Sequence, residues 1–194
     1  MWIAKRRLAA GLWFLKEGSC EYVELSRRGV QILRIPLEDV AKARLMESRA
    51  EVELARKFLH AGLLRNAAGK AFQAWKAYLS YLAIKHQDLF QLEGVKILRR
   101  GIGVLRKELV LALAPTTMMT QLAEKLGARE PEVVELTALA LLIHEYQHNG
   151  PDPSGVLSKI PSDDAARGLI ERLVAQLERR LAGEAGREPP RLSG

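Results

Sequence analysis

Apolar residues recur at steps of three and four through most of the chain, most completely in the stretch 63–86. There Leu64, Ala67, Ala68, Ala71, Phe72, Trp75, Leu79 and Leu82 fall on one stripe of a helix, with Arg65, Lys70, Gln73 and Lys76 opposite. The small alanines let a neighbouring helix approach closely, and Phe72 and Trp75 fill the space between. The pattern predicts a core helix around which the rest is organised.

The same spacing predicts helices at 37–61, 92–114, 131–148 and 163–182, with a short one capped by Thr117 and ending at Gly127. In the first, Val40, Ala43, Leu45, Val52, Ala55 and Leu59, with neighbouring Ala50, Leu54 and Phe58, form a broad apolar side, and Glu38 and Asp39 suit the positive end. Gly62 stands where a C′ glycine would end it, so helices 37–61 and 63–86 read as an antiparallel hairpin. In 92–114 the buried stripe is Val95, Leu98, Ile102, Leu105 and Leu109, weakened by Gly101 and Gly103. Pro131 suits the first turn of a helix apolar nearly all round, from Val133 and Val134 to Ile143. Asn149 to Gly155 is a loop, after which Ser162 or Asp163 caps a helix with the stripe Ala166, Leu169, Ile170, Leu173, Leu177 and Leu181.

Only residues 20–35 read as extended. Tyr22, Val23 and Leu25, then Val30, Ile32, Leu33 and Ile35, flank Ser26-Arg27-Arg28-Gly29, which predicts a β-hairpin. The fold class is therefore all-α: an antiparallel up-and-down bundle at 37–182, an N-terminal appendage at 1–36 and a disordered tail at 183–194.

Charge adds one feature. Residues 1–60 carry twelve basic and eight acidic side chains, 61–114 nine and three, and 115–194 nine and twelve. The middle of the chain thus holds the positive field, compatible with a polyanion. Lys96, Arg99, Arg100, Arg106 and Lys107, placed on helix 92–114, are its densest group, and Arg65, Lys70, Lys76 and Lys85 could broaden it. Such a face would contact phosphates without reading sequence. The single Cys20 excludes an intrachain disulfide framework and fits a reducing cytoplasm. No stretch reaches the roughly 20 apolar residues of a membrane span, and residues 2–15 read as an amphipathic arm rather than a leader or anchor.

One pattern has a defined chemistry. His144-Glu145-Tyr146-Gln147-His148 satisfies H-E-x-x-H, in which two histidines one turn apart reach one zinc and the Glu acts as base. Asp163, Asp164 or Glu171 would have to supply a third ligand. The plainer reading keeps His144 hydrogen-bonded inside the bundle, Glu145 at the surface and His148 at the negative end of its helix. Asn149 and Asp152 extend the cluster into the proline loop, where backbone donors could hold a small polar ligand. No glycine-rich phosphate fingerprint occurs, and no cofactor is expected.

Two segments resemble an archaeal family, the PaREP1 proteins of the wider HEPN-like group. They are Ala71-Phe72-Gln73-Ala74-Trp75-Lys76-Ala77, preceded by the Arg56–Leu64 corner, and Ile143-His144-Glu145-Tyr146-Gln147-His148-Asn149-Gly150-Pro151-Asp152-Pro153, followed by Leu157-Ser158. The resemblance spans about 40–180. It implies a helical bundle that pairs into homodimers, found mostly in thermophilic archaea, with no settled activity. Catalytic members of the wider group are metal-independent ribonucleases carrying an Arg, four to six residues, then His. Arg56 and His60 have only three residues between them, so no catalytic residue is carried over.

The resulting expectation is a non-enzymatic homodimer with a partner-binding or structural role. The alternatives are sequence-indifferent RNA or DNA binding through the basic face, and, less favoured, a ribonuclease or a zinc-site protein.

Overall fold

The protein is described here by a computed structural model covering residues 22–24, 31–99 and 101–185, with the side chains of 31–99 and 101–184. The arm at 2–15, Cys20, the turn at 26–29, Arg100 and the tail beyond 185 lie outside the described residues.

Six helices follow the apolar stripes: α1 (Leu37–His60), α2 (Leu64–Lys85), α3 (Arg106–Leu113), α4 (Met119–Leu126), α5 (Val133–Asn149) and α6 (Asp163–Ala185). Helix α2 is enclosed by α1, α3, α4, α5 and α6. Phe72, Trp75, Leu79 and Leu82 are fully buried along it, together with Ala67, Ala68, Ala71 and Ala74. Large apolar side chains removed from water in this way contribute about 1.5–3 kcal/mol each. The expected stripe on α1 is only partly the real one: Arg44 and Ser48 are buried in it, while Ala50 and Leu54 are exposed. Both polar groups have partners. Arg44 Nε donates to the Ala112 carbonyl at 2.9 Å, and Ser48 Oγ to the Ala74 carbonyl at 2.9 Å.

The α1–α2 corner is closed as the sequence suggests. Gly62 takes φ +73°, its N–H reaches the Leu59 carbonyl and the Leu63 N–H reaches Phe58, which together make a Schellman end. Ser162 Oγ accepts the Ala165 N–H at the start of α6. Thr117, however, lies within a 3₁₀ turn (Thr116–Met118) and caps nothing, and α5 begins at Val133, two residues after Pro131.

Residues 92–114 do not form one helix. They fold as β3 (Val95–Arg99), β4 (Ile102–Leu105) and then α3. Gly94 at φ +96° and Gly101 at φ +75° bracket β3 in left-handed conformations that break a helix. The β-branched residues Val95, Ile97, Ile102 and Val104 also recur at period two, a pattern hidden by their coincidence with helical spacing. The predicted N-terminal hairpin forms, with β1 (Tyr22–Glu24) antiparallel to β2 (Gln31–Leu33) and Val23 opposite Ile32. It is not isolated: β2 runs parallel to β4, giving a four-stranded sheet of order β1-β2-β4-β3. Ile32 of β2 and Gly103 and Val104 of β4 are buried. Glu108, buried at the start of α3, accepts Arg34 Nε at 2.6 Å and the Ile35 N–H at 2.9 Å, fastening the exit of β2 to the helices.

The indole of Trp75 donates to Thr137 Oγ1 at 2.9 Å, and both residues are buried. Thr137→Val keeps the shape and orphans that N–H, so it should cost about 1–3 kcal/mol. A denaturant midpoint unchanged from the parent would show that the bond contributes nothing.

Candidate functional site

The H-E-x-x-H segment occupies the last two turns of α5, against the first half of α2. Gly69 makes the approach close enough: a Cβ there would lie 2.9 Å from Gln147 Nε2. Across this seam the His144 ring stacks face to face on Phe72, with centroids 3.9 Å apart and planes 10° from parallel. Its Nδ1 is 3.2 Å from Gln147 Oε1. An amide oxygen only accepts, so Nδ1 carries the proton and Nε2 is left for another group. His148, one turn on, meets His144 edge to face at 4.7 Å. Burial lowers the His144 pKa and outweighs the Gln147 bond, while His148 and the Lys76 ammonium push it further down.

The other members of the motif have separate partners. Glu145 is held by Lys159, through its ammonium at 2.6 Å and its backbone N–H at 2.9 Å, and this pairing lowers the Glu145 pKa. Tyr146 is buried, and its hydroxyl donates to Asp163 Oδ1 at 2.6 Å. Burial, reinforced by that carboxylate, raises the phenol pKa. Arg65, from the first turn of α2, donates to the carbonyls of Gln147 and His148 and so closes the free end of α5. The two histidines therefore do share a face, as their spacing requires, but Asp163 is turned to Tyr146. Among the described residues no group of three or more His, Cys, Asp or Glu side chains is arranged to hold a metal ion.

The loop after α5 is fixed from within. Gly150 adopts φ +74°, a conformation that favours glycine. Asp152 accepts the Ser154 N–H at 2.9 Å, the Ser154 hydroxyl at 2.5 Å and the Leu157 N–H at 2.7 Å, and Asn149 Nδ2 donates to the Leu157 carbonyl. The polar groups in which the sequence suggested a ligand pocket are spent on the loop itself.

The basic group is redistributed. Lys96 and Arg99 lie on the exposed strand β3, and Arg106 and Lys107 open α3. The positive side of α2 does not join them: Arg65 caps α5, Lys70 meets Glu51 at 2.9 Å, and Lys85 meets Glu184 at 3.0 Å. Lys76 differs. It is half-buried, with no hydrogen bond or ion pair among the described residues. Burial lowers its pKa, and Arg44 lowers it further against a smaller opposing effect of Glu47. Its spacing marked it only as a member of the polar side of α2. A groove of about 610 Å³ between α1 and α6 brings Arg56 and His60 together, but Arg56 is held by both oxygens of Glu178, at 2.8 and 2.6 Å.

Asp152 and Glu145 both titrate lower in the folded chain than when free, so the stability they contribute is full above the ordinary carboxylate range. It is lost as pH falls through their folded values. The urea midpoint should therefore decline below about pH 4. Asp152→Asn should lower the midpoint at neutral pH and flatten this decline. An unaltered acid limb in the variant would remove Asp152 as a source.

Comparison with known proteins adds one positive finding. No curated protein and no solved structure matches the chain. The archaeal PaREP1/PaREP8 family model matches residues 43–171, more than half of the sequence, from the early turns of α1 through the His144–Asp152 segment into α6. The chain belongs to the PaREP1/PaREP8 family.

Proposed function

We propose that this protein is a non-enzymatic homodimer whose role is to bind a partner or to serve as a structural unit. The observation that carries the reading is the outward side of α5. Val134 is 44% exposed, Ala138 is exposed one turn on, and Leu141 and Leu142, which pack against the core, keep an edge open another turn along. An apolar row of this kind favours burial against a second copy, most simply about a twofold axis. The motif residues support a non-catalytic role, since Glu145 and Asp163 are engaged by Lys159 and Tyr146.

Light scattering after gel filtration should give about twice the 21.6 kDa chain mass. Ala138→Arg should return it to one chain with an unchanged helical spectrum. A monomer at every concentration up to the high micromolar range would overturn the dimer.

A second reading rests on Lys96, Arg99 and Arg106, exposed around β3 and without side-chain partners among the described residues. They support weak, sequence-indifferent contact with nucleic acid phosphates. Three such contacts predict a fall in log affinity of about 2 per log unit of salt for single strands. Fluorescence anisotropy with an RNA of about 30 nucleotides tests this. The triple reversal of those residues to Glu should abolish binding, and retained binding would exclude this surface.

A further inference from the structure

Helices α2 and α5 run antiparallel along their seam: Gly69 meets Gln147, Phe72 meets His144, and Trp75 meets Thr137. Lys76 leaves α2 one turn beyond Phe72, whereas His148 leaves α5 one turn beyond His144 in the opposite direction. The stacked His144 ring therefore sits between them, each neighbour about 5–6 Å along the seam. His148, His144 and Lys76 make a row of nitrogen-bearing side chains.

One acidic group, Glu47, acts on Lys76, and Arg44 outweighs it. Four carboxylates on α1, α5 and the start of α6 already have partners: Glu47 in Arg44 at 2.6 Å, Glu51 in Lys70 at 2.9 Å, Glu145 in Lys159 at 2.6 Å and Asp163 in Tyr146 at 2.6 Å. Arg44, itself buried, adds a further positive neighbour to Lys76. Burial still disfavours the charged form of Lys76, whose ammonium has no hydrogen bond or ion pair among the described residues.

We propose that the Lys76–His144–His148 row binds a compact oxyanion, a phosphate group, at the seam between α2 and α5. The donor and acceptor set suits it. The ammonium has three N–H groups to give to phosphate oxygens, and His144 Nε2, left open by the Nδ1 bond to Gln147, can accept the P–OH of hydrogen phosphate. Phe72 holds the ring in place, so binding needs little reordering of the site.

The full-length protein would be titrated with inorganic phosphate and, separately, with a nucleoside monophosphate, at ionic strength held constant with chloride. The readouts are the histidine ring NMR signals and the melting temperature. Phosphate should move the His144 signals saturably and raise the melting temperature. A response to the nucleotide as well would identify a phosphate ester as the natural form, and a response to inorganic phosphate alone the free anion. Lys76→Met should weaken binding by about tenfold or more, yet leave the anion-free protein at least as stable as the parent. Lys76→Arg, which keeps the charge, should retain saturable binding. Shifts that are linear in phosphate, or reproduced by chloride, would overturn the proposal. So would a Lys76→Met variant that melts lower without anion, because the lysine would then be structural.

Discussion

The enclosure of α2 is the constraint on which the rest depends. A helix covered on nearly every side can be approached closely only where its side chains are small, and Ala67, Ala68, Gly69, Ala71 and Ala74 supply that surface. It also leaves neighbouring polar groups no water, so each must find a partner within the protein. They do so at the points where neighbouring helices are set in register. Ser48 reaches the Ala74 carbonyl from α1, Thr137 meets the Trp75 indole from α5, and Ser80 reaches the Leu111 carbonyl of α3 at 2.6 Å. Apolar burial supplies the driving force, and these directional bonds select one arrangement of the helices.

The helical part of this arrangement is legible because apolar residues recur at steps of three and four along each long helix. The α1–α2 corner could be read to the residue, since only Gly62 suits the left-handed end. Residues 92–105 were misread for a physical reason: Val95, Leu98, Ile102 and Leu105 satisfy a helical step while Val95, Ile97, Ile102 and Val104 satisfy a strand step. The tie is broken by β2, which lies parallel to β4 although two helices intervene in sequence. No local pattern reveals such a partner. Arg44 and Ser48 escaped for a related reason, because a polar residue on an apolar stripe looks like an interruption until its acceptor is known.

The candidate site was legible to a similar depth. The i, i+4 spacing puts His144 and His148 on one face, and their rings do meet. The commitments of Glu145 to Lys159 and of Tyr146 to Asp163 are tertiary facts that link α5 to the segment leading into α6. They decide the chemistry more than the motif does. A glutamate anchored to a lysine is a poor base, and an aspartate that accepts a tyrosine hydrogen bond is a poor third ligand. The same residues thus fasten the end of α5 to the chain that follows it.

The C-terminal end of α2 and its seam with α5 differ in how charge is balanced. At its C-terminal end Tyr81 and Lys85 converge on Glu184, His86 contacts Glu130 at 2.7 Å, and Arg180 of α6 reaches the Pro131 carbonyl and Glu132. Glu132 holds a left-handed φ of +62°, a strain of about 1–3 kcal/mol for a non-glycine residue, and the Arg180 contacts help to hold it there. Cation and anion are matched in that network, so it serves as a clasp. Along the middle of α2, on the seam with α5, Glu51, Glu47 and Glu145 are instead paired with Lys70, Arg44 and Lys159, and the row of Lys76, His144 and exposed His148 forms no ion pair among the described residues. Formal charge is similar at many points of the surface. What separates a clasp from a receptive site is whether the fold has already supplied the opposite sign.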